Sequence, residues 1–269
     1  MTDRGTAGVR ALGDMLPREI EAYFDEGGDL AILPIGSIEH HGPHLVNGCD
    51  GYITLAKAQE VARLSGGVLF PMISTCWEGA TNVYSGGIGV RENVFVDYLL
   101  AVVRAVRKAG FRRILIINSH GGNFYAMRVF PQHCLRETGL AVMTVYGSAG
   151  CEEADHARKE GVGEAASLLG ALHLLGQDDL VNEIVEYTRK AIEEFGDRRT
   201  VDPAPASMQG ARRLGVVGQE YFEEYRHAQP DSRQTDPRPG AELIRKIARH
   251  IVKHLPALAK HVEETEARD

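Results

Sequence analysis

The sequence predicts a single three-layer α/β/α domain with a mostly parallel central sheet, on three observations. Two short apolar runs, Leu30 to Ile35 and Ile114 to Ile117, are too short for helices and too continuous for half-exposed strands. They read as strands buried on both faces, the pattern of a parallel sheet covered by helices. Helical patterns lie between the strands, and that alternation is the mark of a layered α/β domain. A length of 269 residues is enough for one such domain, 1–269, with a sizeable core.

Along the chain, Leu30 to Ile35 is the first strand, and a helix from Ile53 to Leu64 stops at Gly66-Gly67. Val68 to Ile73 reads as a strand. The next helix, Asn93 to Ala109, places Val96, Leu99, Leu100, Val103 and Val106 on one side, carries Arg107 and Lys108 in its last turn, and stops at Gly110. Ile114 to Ile117 and Leu140 to Tyr146 are further strands, and Gly163 opens an apolar helix that runs through Leu174. The closing helix, about Ala241 to Ala259, has a stripe of Leu243, Ile244, Ile247, Ile251 and Val252, with Pro256 expected to kink or end it. The stretch 196–240 is rich in Pro, Arg, Gln and Asp and reads as an irregular excursion or a partner-contacting arm.

Composition narrows the function. A net charge of −7 argues against nucleic-acid binding, which needs a basic surface, and points to a small-molecule substrate. No apolar run approaches the roughly 18 residues of a membrane span. The segment from Met1 to Met15 carries Asp3, Arg4, Arg10 and Asp14, unlike a signal peptide. The four cysteines have no CxxC spacing, so a reducing, cytoplasmic setting is the expectation.

Both of the clearest strands run into polar clusters, where open parallel sheets place their ligand sites. After Ile35 come Glu39, His40, His41 and His44, then Asp50; after Ile117 come Asn118, Ser119, His120, Gly121, Gly122 and Asn123. Glu39 and His41, two residues apart, project to the same side of an extended segment. Gly42-Pro43 turns the chain so that Asp50 can return, and His120 enters from the second strand. Three His and a Glu within six residues have no good packing explanation, because charged groups are rarely buried unless paired or metal-bound. Mixed nitrogen and oxygen donors suit Zn²⁺, Mn²⁺ or Fe²⁺ rather than Ca²⁺. Of His40 and His44, one is expected to orient a ligand and the other to be exposed. Gly121, Gly122 and Asn123 read equally as an ordinary turn or as a backbone cradle for a substrate oxygen. In the third cluster, after the strand ending at Tyr146, His156 and Glu164 are the better candidates, while Glu152, Glu153 and Glu160 read as solvated charges.

The run Pro34-Ile-Gly-Ser-Ile-Glu39-His40-His41-Gly-Pro-His44-Leu45, with Asp50 following, resembles the first signature of the creatininase (creatinine amidohydrolase) family, P-x-G-S-x-E-x-H-G-x-H-L. Gly110-Phe111 through Asn118-Ser-His120-Gly-Gly-Asn123 resembles the second, in matching order and separation, so the likeness covers roughly Leu30 to Ser167. The resemblance implies a compact α/β/α fold, two divalent metal ions per subunit and a homo-oligomer, often a hexamer. It implies Glu39 and His120 on one metal, His41 on the other and Asp50 between them. Creatininase itself uses a Glu two residues after the His of the second signature, where this chain has Gly122. Other branches carry Gly there, so the fifth-ligand role passes to Glu164, in a segment resembling the family's later His-Ala…Glu-Thr-Ser. Here that segment reads His156-Ala157…Glu164-Ala165-Ala166-Ser167, with three extra residues between His and Glu.

The expected activity is metal-assisted hydrolysis of a cyclic amide, formamide or related C–N bond, with His156 giving a proton to the leaving group. Trp77, Glu78 and Tyr84 are expected to shape the substrate pocket. They depart from the Glu-His and Phe-Pro-Gly-Thr-Ile of many relatives, so creatinine is not the expected substrate. Two alternatives stand: hydrolytic opening of a carbocyclic polyol ketone ring, which some relatives perform, and a non-catalytic metal-binding or assembly protein on the same fold. A nucleotide-binding enzyme is disfavoured, since the chain lacks a G-x-x-x-x-G-K-[ST] loop.

Overall fold

The computed structural model describes residues 8–77, 85–197 and 230–267. Its core is a five-stranded, all-parallel sheet with strand order β1-β3-β2-β6-β7, where β1 is Arg10–Ala11, β2 Leu30–Ile35, β3 Val68–Leu69, β6 Arg113–Asn118 and β7 Met143–Tyr146. A short parallel pair, β4 (Cys76–Trp77) and β5 (Gly89–Val90), lies apart from it. The helices are α1 (Pro17–Asp25), α2 (Cys49–Ser65), α3 (Glu92–Lys108), α4 (Phe124–Thr138), α5 (Glu152–Lys159), α6 (Glu164–Leu174), α7 (Asp178–Phe195) and α8 (Pro237–Glu266).

Strand periodicity divides the core between two faces. Ala31, Leu33 and Ile35 of β2 and Ile114 and Ile116 of β6 pack with Phe95, Leu99 and Val103 of α3 and Met127 and Phe130 of α4. Leu30, Ile32, Leu115 and Ile117 face the other way, onto Ala58 and Val61 of α2 and Leu243, Ile247 and Ile251 of α8. The two central strands are therefore buried on both faces, which is why they read as unbroken apolar runs. A third cluster joins Leu45, Cys49 and Ile53 to Leu168 and Leu169 of α6 and Ile184 of α7.

Several boundaries differ from the sequence expectation. The strand expected at Val68 to Ile73 keeps only Val68–Leu69 and an isolated bridge between Ile73 and Ile35, since Pro71 has no N–H to donate to a ladder. The last strand begins at Met143 rather than Leu140. Helix α2 starts at Cys49, a turn before Ile53, which puts Asp50 in its first turn. Pro256 does not end α8, which continues to Glu266 with Leu255, Leu258 and Val262 buried; that burial offsets the missing hydrogen bond. Of the stretch 196–240, residues 198–229 lie outside the described residues. Asp231 and Gln234 are buried, and α8 starts at Pro237, so the far end of that stretch is packed structure rather than excursion.

Helices α6 and α8 meet backbone to backbone. A Cβ on Gly240 would stand 1.8 Å from the Ala166 carbonyl oxygen, and one on Gly170 2.1 Å from the Ala241 nitrogen. Gly240→Ala is therefore expected to destabilise the fold by about 1–3 kcal/mol, read as a lower denaturant midpoint; an unchanged midpoint would contradict the close approach.

Candidate metal centre

The site forms where the chain leaves adjacent β2 and β6. These strands are in register, Ile35 opposite Asn118, so the segments after them start at the same level. From β2 the chain moves to β3 on one side and later to β6 on the other, which opens a crevice at the strands' carboxyl ends. Helix α2 approaches this crevice through two glycines. A Cβ on Gly36 would lie 2.5 Å from the Gly51 Cα, so the pair lets the N-terminus of α2 abut the end of β2.

Asp50, 3% exposed, is carried by that helix start, where the macrodipole favours a carboxylate. Its Oδ2 accepts from the Ser37 hydroxyl at 2.9 Å and lies 3.0 Å from His120 Nδ1 and 3.6 Å from His41 Nε2. Glu39 Oε1 is 3.0 Å from His120 Nδ1 and 3.7 Å from His41 Nε2. Glu164, first residue of α6, brings Oε1 to 4.0 Å from His41 Nε2. Donor atoms of Glu39, Asp50 and His120 lie within 4.8 Å of one another, and so do those of His41, Cys49 and Glu164. The other four side chains named from the sequence as ligands are thus brought together around Asp50, with Cys49 beside them.

The surroundings fix this arrangement. His41 Nδ1 is 3.0 Å from the Glu39 carbonyl oxygen, which sets the ring's orientation. Asn118 Nδ2 donates to the His120 carbonyl at 2.9 Å, and Asn123 Nδ2 donates to Asn118 Oδ1 at 3.1 Å, bracing the β6–α4 turn. Asn123 is fully buried in this bracing role. Gly122 lies against His120; a Cβ there would be 2.3 Å from Nε2. Gly121 is exposed at the turn, near the Tyr146 hydroxyl. His44 is buried and His40 half-buried, so neither is fully exposed.

Burial by itself would push both buried imidazoles down, yet the carboxylates overcome it. Asp50, Glu164 and Glu39 raise His41 to about 9, and Asp50 and Glu39 raise His120 to about 10. Burial likewise works to raise the Asp50 carboxyl, but His120 and His41 hold it well below the usual range. His44 has only the Glu164 charge to counter burial and is pushed down to about 4.

The other expected site residues fall elsewhere. His156 sits on α5 with its side chain 72% exposed and pairs with Glu160 at 3.2 Å; it is not among the residues lining the cleft. Trp77 packs against the core beside α3 and does not line the cleft either. Glu78 and Tyr84 lie outside the described residues. The cleft itself, about 440 Å³, runs from Asp50 and Glu164 past Lys57, Ser119, Tyr146 and Arg158 to Asp231, Arg233 and Gln234. Sequence reading missed Lys57, Tyr146, Arg158 and Arg233. Only Lys57 carried a signal, a lysine on the buried side of α2 seven residues after Asp50.

Asp50 is the anion that keeps both imidazoles charged in the absence of a metal. In chelator-treated Asp50→Asn protein, His41 and His120 are expected to titrate below about 9 and 10, as followed by NMR. Unaltered titration would show that Asp50 is not their dominant partner.

Comparisons with known proteins agree with this architecture. The creatininase (creatinine amidohydrolase) family profile matches residues 13–255. A 3-dehydro-scyllo-inosose hydrolase of Thermotoga maritima is 33% identical over 100 residues, which are 36% of this chain and 31% of that protein. The match thus spans about a third of that relative's length. A mycofactocin precursor peptide peptidase of Mycolicibacterium smegmatis is 27% identical over 220 residues, 80% of this chain and 79% of the peptidase. A mutant creatininase of the Zn-Zn type superimposes with a TM-score of 0.66 at 15% identity, covering 91% of this chain and 96% of its own. With nine-tenths of its length inside the family profile and the same fold, this chain belongs to the creatininase family, whose members are metal-dependent hydrolases.

Proposed function

We propose that the protein hydrolyses a C–N bond of a small molecule, a cyclic amide or formamide, with two divalent ions held around Asp50. The observation that carries this reading is the convergence of Glu39, His41, Asp50, His120 and Glu164, of which Asp50 and Glu164 line one end of a cleft of small-molecule size. Three carboxylates, two of them buried, crowd two imidazoles that hold protons without a metal, and divalent ions can take the place of those protons in offsetting the negative charge. His120 Nε2 and both His44 nitrogens are buried without a hydrogen-bond partner among the described residues, so polar capacity is still unused there. The donor set therefore fits divalent ions, and its mixture of imidazole and carboxylate accepts Zn²⁺, Mn²⁺ or Fe²⁺.

Glu39 and His120 would hold one ion, His41 and Glu164 the other, with Asp50 between them. Ions so placed lower the pKa of water towards neutrality and polarise a carbonyl. Ser37 fixes the Asp50 carboxylate through its hydroxyl, and the Asn118–Asn123 pair fixes the turn that carries His120. Burial and then the Asp50 charge raise the Tyr146 phenol, so it stays protonated and can donate to a substrate oxygen in the cleft. His156, exposed on α5, is not placed to deliver a proton from its present position.

A second reading, opening of a carbocyclic ketone ring, is favoured by the name of the Thermotoga maritima relative and uses the same residues. Homo-oligomeric assembly belongs to the proposal as well. Val94 and Tyr98 of α3 and Tyr125 and Val129 of α4 are exposed apolar side chains, Tyr125 at 73%. No described helix is long and apolar enough to cross a membrane.

Purified protein is expected to carry about two metal ions per chain, and Asp50→Ala is expected to lose metal and lower turnover by more than about 100-fold. The assay panel holds hydantoins, formamides and inosose-type ketones; retained metal-dependent turnover in a folded Asp50→Ala protein would refute the scheme. Because the metal-free site holds protons on His41 and His120 up to about 9 and 10, loading at neutral pH is expected to release protons. Apparent metal affinity should rise from pH 7 to about 10, and calorimetry in buffers of different ionisation enthalpy measures both effects. Light scattering tests the assembly, and a monomer at working concentration would contradict it.

A further inference from the structure

We propose that Lys57 and Arg158 form an anion-binding end to the cleft, so that the substrate carries a carboxylate or similar anionic group beside the bond that is cut. This rests on the hydrolase reading above and names the substrate class for the same site.

Lys57 lies on α2 seven residues after Asp50, on the same face of the helix, and is 3% exposed. Its ammonium donates to the Ser119 hydroxyl at 3.1 Å and the Gly147 carbonyl at 3.2 Å. Both acceptors are neutral, and an ammonium has three donors, so one remains for a ligand. Arg158 reaches the same turn from α5: a Cβ on Gly147 would be 3.8 Å from its Nη1 and 3.9 Å from its Nη2. Two cations thus flank one glycine on the cleft wall.

Neither cation has a carboxylate partner among the described residues. Arg233, in the same cleft, shows the contrast, since its Nε donates to Asp231 at 2.8 Å. A buried lysine is rarely left unpaired, and a second cation nearby adds to the cost. Burial first, and then Arg158, push the Lys57 ammonium down to about 7 against the opposing pull of Asp50. A tether between Ser119 and Gly147 uses two of the Lys57 donors, whereas an anion takes the third and keeps the buried ammonium charged beside the solvent-facing Arg158. The carboxylates at the other end do not supply it once two divalent ions balance Glu39, Asp50 and Glu164. The planar guanidinium of Arg158 suits a carboxylate, and Lys57 adds a point charge. Ser119 adjoins His120 in the chain, so the anionic group sits close to the reacting bond.

The test is calorimetry on metal-loaded protein with matched probes: hydantoin-5-acetic acid beside its carboxamide, and N-formylglycine beside its amide. At least one acid is expected to bind about tenfold more tightly than its neutral partner. Arg158→Gln and Lys57→Met are each expected to remove most of that preference. Arg158 is exposed at the cleft rim, so its variant decides the matter even where Lys57→Met fails to fold. A panel in which no acid is preferred, or a preference that survives Arg158→Gln, overturns the proposal. Metal per chain is measured on the same samples: metal bound without acid preference removes only the anion subsite, whereas protein that takes up no metal removes the hydrolase reading itself.

Discussion

The placement of one buried carboxylate, Asp50, governs the rest of the molecule. Its Oδ2 faces Ser37, His41 and His120 at 2.9, 3.6 and 3.0 Å, the first two from the segment after β2 and the third from the segment after β6. A carboxylate 3% exposed is tolerable only if positive charge or hydrogen-bond donors surround it. Each neighbour must therefore be held in place. The Gly36–Gly51 contact sets the depth at which α2 begins, and the register of β2 with β6 sets the level at which His120 leaves the sheet. A side chain at Gly36 would lift the helix start away, and Asp50 with it.

Charge also organises the cleft beyond the ligands. One end is lined by Asp50 and Glu164, and the other holds Lys57 and Arg158, with Arg233 already matched by Asp231. With the proposed ions in place, such an asymmetric field would orient a polar substrate, its anion towards Lys57 and Arg158 and its reacting carbonyl towards the ions. Helix α5 packs through Ala154 and Ala157 in the same core cluster as α2 and α8, and Gln234, beside Asp231, meets the start of α6. The α5 wall of the site is therefore built by the same core that buries the strands.

The likeness of fold is broad, while the identity to the solved creatininase is low, 15%. Physical chemistry accounts for both. A doubly covered parallel sheet accepts many apolar sequences of similar volume, whereas a cluster of buried donors around one carboxylate accepts very few. The first signature carries Glu39 and His41 two residues apart and must stay extended to present both; its Gly42, at φ +80°, then turns the chain back.

By itself the sequence marked four of the five strands, the layers and the candidate ligand cluster, because each is written in local order. Unbroken apolar runs mark doubly buried strands, Glu39, His41 and His120 stand just past strand ends, and Asp50 follows in the first turn of α2. Glu164 stood out in the pattern as a candidate, but its ligand role was legible only through a resemblance, since its α6 position says nothing about which strand end it faces. What only the tertiary structure decided is the company these residues keep. Whether His156 points into the cleft or out to Glu160 depends on the rotation of α5, which sequence spacing does not encode. Lys57, Tyr146 and Arg158 become neighbours because α2, β7 and α5 converge on Gly147, and Asp231 and Arg233 arrive from a stretch that reads as irregular. Long-range packing sets those distances, and no local pattern in the chain reports them.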